Sequence, residues 1–463
     1  MKQVISLPDW LKNLFKEFSK NGYEVYAVGG AVRDSILGKN VKDWDLTTDA
    51  TPEQIQHLFT HTFYNNSYGT VTIQVEVKND TDNKPITQEQ EFVTHFVEVT
   101  PFRLEGDYRD GRHPSELVWG KSLEADLIRR DFTVNALCVG ENGEVIDMVG
   151  GLEDLKNRQI RAVGDAKKRF IEDGLRLMRA VRFCAQLGFL LEKETREALT
   201  AEAGLISQIS SERIRDELFK ILTSPYPADG ILMLKSVGLL KLILPEVEAC
   251  FGVDQKSEGR HHIYDVGTHL IQSLKSCASK DPITLLACLL HDIGKVTTRR
   301  ITENGVVTFY NHEHVGAQMA KKIADRLRLS NIQKDRLVRF VRFHMFTVSE
   351  DQTDKALRRF IKNVGVENLD EMLMLRVGDR VGSGARVTSW RTELFKKRLQ
   401  EVQIIPFLVK DLAIDGSDVM KELDLKPGPQ IGKILQEIFL KVEEKEIKND
   451  REELLAELKK VKM

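Results

Sequence analysis

The hydrophobic spacing of this chain changes period at Gly150-Gly151, and that change limits the fold more than any other feature. Before it, strand-like runs (Tyr23 to Val28, Val71 to Val77, Phe92 to Val99) mingle with helical runs at residues 8–21 and 31–37. Beyond about residue 165 the spacing is mostly helical, most clearly over Asp165 to Leu190, Ser211 to Thr223 and Ala228 to Leu244. The pattern predicts an α+β chain, with a small mixed α/β head followed by an all-α neck, body and tail. The expected boundaries are 1–150 for the head, 151–250 for the neck, 251–385 for a helical domain rich in His and Asp, and 386–463 for the C-terminal body and tail. Residues 404–427 read as short elements joined by turns. The stretch from Ile431 to the end reads as one charged helix packed on the surface. Lys78 to Gln90 is polar and reads as a long exposed hairpin loop.

Charge narrows the functional classes. The 463 residues carry 68 Lys+Arg against 70 Asp+Glu, a net charge of −2. That excludes nucleic-acid binding by bulk positive charge but leaves room for local basic faces. The five cysteines form no CxxC pair and are odd in number, which argues against a disulfide framework or a thiolate zinc site and for a reducing cytoplasm. The first residues lack the apolar stretch of a signal peptide, and no run approaches the ~20 apolar residues of a membrane span, so a cytoplasmic chain with no membrane partner is expected.

Three blocks carry chemistry in the first half. The first is Gly29-Gly30-x-Val32-Arg33-Asp34 followed by Asp43-Trp44-Asp45. Carboxylates at i and i+2 of a strand share a face, and Mg²⁺ favours one or two such groups together with phosphate oxygens. Paired glycines ahead of a helix let a triphosphate approach backbone N–H groups. The second block is Arg129-Arg130-Asp131-Phe132-Thr133-Val134-Asn135, in which a carboxylate and an amide suit ribose hydroxyls and arginines suit phosphate. The third runs from Glu172-Asp173 through Arg176 and Arg179 to Arg182. On a helix, Asp173 and Arg176 share a face. A carboxylate beside a guanidinium complements the amine and ring nitrogen on the pairing edge of cytosine and adenine, whereas guanine and uracil present a carbonyl there.

In this order the blocks resemble the class II tRNA nucleotidyltransferases, the CCA-adding enzyme family within the DNA polymerase beta-like superfamily. The resemblance covers about residues 24–218. It implies that Asp43 and Asp45 are catalytic and hold Mg²⁺, and that Gly29, Gly30, Arg33, Arg129, Arg130, Asp131, Asn135, Asp173, Arg176, Arg179 and Arg182 serve the nucleotide. Asp173 and Arg176 would template the base, with Glu172 and Arg179 in support, and Ser211 to Glu217 would buttress the neck. Glu98 is a candidate third carboxylate. The implied partners are the tRNA 3′ acceptor end, CTP and ATP. Bacterial poly(A) polymerases share the blocks but usually add a basic flank that is absent here. The segment Arg103 to Pro114 resembles the loop needed to switch toward ATP, which disfavours a pure CC-adding enzyme and leaves full CCA addition and A-only addition open.

A second constellation lies downstream. His291-Asp292, with His269 upstream and Asp379 downstream, resembles the HD-domain phosphohydrolases over roughly 261–385. The family implies these four as ligands of a divalent transition metal such as Mn²⁺, Ni²⁺ or Co²⁺, with His314 and His344 matching further positions of two-metal members. Arg336, Arg339 and Arg342, with Lys334, Arg358, Arg359, Arg386, Arg391 and Lys396-Lys397-Arg398, are a candidate basic track for tRNA; Arg158, Arg161, Lys167, Lys168 and Arg169 are candidates for its acceptor end.

Overall fold

The computed structural model describes residues 3–41, 43–65, 69–78, 92–104, 118–120, 122–255, 264–346, 349, 352–403, 408–444 and 446–460. The expected loop at 79–90 and the motif residues 105–114 lie outside the described residues. The chain divides into two compact units, Met1–Ile243 and Leu244–Met463.

In the first unit, α1 (Asp9–Lys20) buries Leu11, Leu14, Phe15 and Phe18, one face of a 3.6-residue period. Next come β1 (Val25–Val28), α2 (Gly30–Ile36), β2 (Asp45–Thr48), α3 (Pro52–Leu58), β3 (Thr62–Asn65), β4 (Thr70–Lys78) and β5 (Phe92–Pro101). They are followed by the short strands β6 (Arg103–Leu104) and β7 (Val118–Trp119), then α4 (Leu123–Ile128), β8 (Leu137–Val139) and β9 (Val145–Asp147). Seven strands form one sheet in the order β3-β4-β5-β2-β1-β8-β9. The β2–β5 pair is parallel and the other pairs are antiparallel. The expected hairpin is present as the β4–β5 ladder, which runs from Val71↔Val99 to Lys78↔Phe92.

Beyond the sheet come α5 (Gly151–Asn157), α6 (Ala166–Glu172) and α7 (Leu175–Leu187). The single helix expected over Asp165 to Leu190 is therefore two helices. Asp173, the residue that ends α6, takes an extended backbone (φ −146°, ψ 105°), and its carboxylate accepts from the Leu175 N–H, so it sits between the two helices and belongs to neither. Two short ladders interrupt the helical region: Gln159–Ile160 with Leu190–Leu191, and Arg300–Ile301 with Val307–Thr308.

In the second unit, helix Val266–Ser276 packs along helix Leu369–Gly382. Two glycines permit this approach. A Cβ on Gly378 would lie 2.8 Å from the Ser273 carbonyl oxygen, and one on Gly382 would lie 2.3 Å from Ser273 Oγ. The charged tail is a correction to the sequence reading. It forms two helices, Pro429–Glu443 and Arg451–Leu458, with Asp450 capping the second. Asn449 ties the break to the rest of the unit, accepting from the Ala413 N–H and donating to the Asp411 carbonyl. Leu454 and Leu458 are buried with Ile438 and Val442 and with Leu412, Ile414 and Val419, so the two helices share a small core with the segment before them. Among the described residues no helix is long and apolar enough to cross a membrane.

Candidate functional site

Sheet register assembles the head site. Asp45 opens β2 between Val28 of β1 and Glu98 of β5. Trp44 is buried while Asp43 and Asp45 are exposed, as alternation requires. Gly29, directly after β1, has φ +78° and ψ −133°, a conformation that side chains disfavour, and α2 starts at the next residue. Its N–H donates to the Leu137 carbonyl, which brings the glycine turn beside the segment carrying Asp131 and Asn135. Although Asp45 is open at the surface, the protein atoms around its carboxyl, followed by the charge of Glu98, push its pKa up to about 6. Adjacent carboxylates that repel one another are the arrangement a divalent cation relieves, so the donor set fits a hard metal ion.

The surrounding arginines are locked to protein partners. Asp126 is fully buried and takes Arg129 and Arg130, the latter at 2.9 Å. Arg33 donates to Asn135 Oδ1 at 2.6 Å and to both oxygens of Asp34. Asp131 is held below the usual carboxylate range against burial, chiefly by Arg179, whose Nε lies 2.7 Å away. Arg182, expected at the triphosphate, is instead buried against Glu217 at 2.8 Å. Burial and the neighbouring Arg179 lower its pKa to about 10. The guanidinium groups of Arg33, Arg179 and Arg182 all lie within 5.4 Å of the Phe183 ring centre.

Asp173 and Arg176 do not pair with each other. Asp173 Oδ2 accepts from Arg213 at 2.8 Å, and Arg176 turns to Glu172. The Arg129 carbonyl accepts from Arg176 at 3.3 Å and from Arg169 at 3.4 Å. Sequence reasoning missed Asp126, although its spacing of three and four residues before Arg129 and Arg130 was a usable signal. Asp126→Ala is expected to destabilise the protein by roughly 3 kcal/mol, because two guanidiniums lose a buried partner. The measurement is the urea midpoint, which should fall without a change in slope.

The second unit gathers another cluster. His269 and His291 face each other through Nε2 at 3.0 Å. Asp379 Oδ1 lies 3.2 Å from His269 Nε2 and 3.6 Å from His291 Nε2, and Asp292 Oδ2 lies 3.4 Å from each ring. The other oxygen of Asp292 faces His312 Nε2 at 3.2 Å and His344 Nε2 at 3.5 Å. Both of these Nε2 atoms are buried without a hydrogen bond. The expected ligand His314 is corrected: it is exposed, and His312, two residues earlier, turns into the cluster. Lys295, another residue the sequence reading passed over, donates to Asp292 at 2.6 Å and to Gln255 at 2.8 Å. Burial alone would strip the proton from His291, but Asp292 and Asp379 outweigh it and hold the group up at about 10. Converging imidazoles and carboxylates that stabilise a positive charge fit a divalent transition metal.

Comparison with known proteins follows the same division. The family model described as the Poly A polymerase head domain matches residues 25–161, and the HD domain model matches 261–371. The CCA-adding enzyme of Levilactobacillus brevis is 34% identical over 445 residues, covering 94% of this chain and 93% of that protein. The chain belongs to the CCA-adding enzyme family. The CCA-adding enzyme of Lactococcus lactis subsp. lactis is 31% identical and covers 97% of this chain and 96% of its own length. The crystal structure of the Bacillus stearothermophilus CCA-adding enzyme in complex with CTP matches with a TM-score of 0.69 at 26% identity, over 97% of this chain and 96% of that one.

For a member of the CCA-adding enzyme family a basic track is of interest, and here much of the expected one is engaged internally. Arg336 pairs with Asp281 at 3.0 Å, Arg339 donates to the Asn363 carbonyl, Arg342 meets Glu313, and Arg398 meets Asp354. Arg358 is buried against Glu443. In the first unit Arg161 pairs with Asp154, Lys167 with Glu202 and Arg169 with Glu172. Each of these side chains has an acidic or carbonyl partner within its own unit, and the exposed pairs among them add little to stability.

Proposed function

We propose that the head completes the 3′-terminal CCA of tRNA, using CTP and ATP and no nucleic-acid template. The observation that carries this reading is the sheet register, which sets Gly29-Gly30, Asp45 and Glu98 side by side in a chain of this family. In the reaction the terminal 3′-oxygen forms a bond to the α-phosphorus of the nucleotide, the bond to the β-phosphate bridge breaks, and pyrophosphate leaves. Asp43 and Asp45, with Glu98 beside them, would hold Mg²⁺, which supplies charge compensation for the phosphates when bound. Arg130, close to Gly29, offers a cation at the glycine turn, where a Cβ would lie 3.6 Å from its Nη1. Asp131 and Asn135, already fixed by Arg179 and Arg33, would receive the ribose without reorganising. A cytoplasmic setting is supported by the thiols, since Cys138, Cys184, Cys250, Cys277 and Cys288 are all free.

Asp173 and Arg176 would read the base. Asp173→Ala is therefore expected to lose about 10²-fold or more of the preference for CTP over UTP, since a site built to pair with an amine rejects its absence strongly. Single-nucleotide kcat/KM values on a tRNA lacking CCA measure this. The reading as a whole is tested with tRNAs lacking CCA, ending in C and ending in CC, each given CTP, ATP or both. Three added nucleotides support CCA addition. One A on the CC-ending tRNA alone makes the protein an A-adding enzyme, and long A tails make it a poly(A) polymerase. No extension overturns the proposal.

A second activity is favoured by the histidine–aspartate cluster. We infer that it hydrolyses phosphoesters with Mn²⁺, Ni²⁺ or Co²⁺ held by His269, His291, Asp292 and Asp379, joined by His312 and His344. The metal would supply Lewis acidity toward the phosphoryl group. Lys295 fixes Asp292, and the second contact of Lys295 to Gln255 holds the ammonium in place.

A further inference from the structure

Two cavities adjoin in the second unit. One, of about 610 Å³, opens over the histidine–aspartate cluster and is lined by Asp292, Lys295, His312 and His344 among others. The other, of about 520 Å³, is lined by Phe346, Trp390, Arg391, Phe395 and Lys396 among others. Met345, Arg376 and Arg380 line both, so the two open onto a common wall. The Arg376 guanidinium forms that wall: it donates to Asp379 Oδ2 at 2.7 Å on one side and lies 5.5 Å from the Phe346 ring centre on the other.

The lining of the second cavity has a specific chemistry. Among the described residues its lining has four cations (Arg376, Arg380, Arg391 and Lys396) and no carboxylate, with Arg376 paired to Asp379 and Lys396 to Glu393 from outside the lining. Trp390, at the first turn of helix Trp390–Gln403, is 63% exposed, and the Arg391 guanidinium sits 5.2 Å from its ring centre. Beneath it, Phe346 and Phe395 stack at 5.3 Å and give the cavity an aromatic floor. An open indole beside guanidinium groups offers a stacking face for a base and donors for the flanking phosphate, the pairing that single-stranded nucleic acid uses. An acidic peptide would use the cations but leave the stacking face idle, and a plain apolar ligand would use the ring faces but leave the cations unpaired.

We propose that this second cavity is a subsite for the nucleotide preceding a terminal phosphate that lies over the histidine–aspartate cluster. The ligand of the paired cavities is then a single-stranded oligonucleotide end bearing a terminal phosphate, not a mononucleotide. The assignment rests on the phosphoester hydrolysis proposed above for that cluster. In the hydrolytic step water forms the new bond to phosphorus, the ester P–O bond breaks, the sugar oxygen takes a proton, and inorganic phosphate is released.

The test uses the full chain loaded with Mn²⁺ and compares uridine 3′-phosphate with pentauridylate 3′-phosphate, in ribose and deoxyribose forms. The expected result is a kcat/KM roughly tenfold higher for the pentamer, the size of one base–aromatic stack. That ratio should fall toward one in Trp390→Ala and persist in Trp390→Phe. The two sugar forms establish whether RNA or DNA is the source of the end. A second readout needs no turnover: a pentamer with 4-thiouridine next to its terminal residue is photo-crosslinked and the peptide mapped. A crosslink within residues 387–396 supports the subsite even if no phosphate is released, and in that case only the hydrolysis reading falls. Hydrolysis with no pentamer preference and no crosslink there overturns the subsite and leaves the hydrolysis reading standing. A preference that survives Trp390→Ala also overturns it.

Discussion

Asp45→Asn is expected to lower nucleotide addition to tRNA by about 10³-fold or more, the several kcal/mol that charge stabilisation by a held metal contributes. The substitution keeps the shape of the side chain and removes only its charge. Its effect on stability should run the other way. The folded pKa of about 6 stands above the ordinary value of 3.8, so ionising Asp45 opposes folding. That penalty is absent below about pH 4, grows as pH rises, and is complete above about pH 6. At pH 8 the variant should therefore unfold no earlier than the wild type in a thermal scan. Loss of transfer together with a clear drop in Tm would mark Asp45 as a structural residue and would sink its assignment to the metal. Burial of the carboxyl is the larger cause of the penalty, and the charge of Glu98, its neighbour in the parallel β2–β5 pair, adds to it.

The second large effect is expected from Asp292→Ala. Asp292 faces both halves of the histidine cluster, with Oδ2 toward His269 and His291 and Oδ1 toward His312 and His344. Losing residues that merely orient ligands costs 10–100-fold in metal affinity, so losing this carboxylate should cost at least about 100-fold. Metal content after dialysis against Mn²⁺ measures this directly, and release of phosphate from a phosphoester should fall with it. Bound metal at the wild-type level in the variant would mean that the cluster is not a metal centre.

Much of this architecture could be read from spacing, and the failures have physical causes. The β4–β5 hairpin and α1 follow from their periods, because one buried face dictates each. The order of glycine turn, carboxylate pair and arginine block points to the head site before any contact is known. Spacing does not reveal the break at Asp173, because Asp173 and Gly174 interrupt an apolar pattern that continues on both sides. It does not separate His312 from His314 either. Two histidines two residues apart lie on opposite sides of a helix, and only the packing of helix His312–Arg326 decides which one is buried. Arg182 looks like a phosphate contact until Glu217, 35 residues away, is seen to take it. Spacing alone makes the tail one helix, whereas Asn449 and Asp450 spend their side chains on backbone partners and break it in a segment that otherwise favours helix.

The carbonyl of Arg129 has a mechanical consequence. A peptide oxygen has two lone pairs, and here Arg169 of α6 and Arg176 of α7 occupy both. Each bond has a charged donor but is long, at 3.3 and 3.4 Å, and is worth no more than about 1 kcal/mol. Moving either helix away from the C-terminal end of α4 breaks one of these bonds. Arg129 directly precedes Arg130 and Asp131, so both helices share one anchor in the segment that leads into the proposed ribose residues.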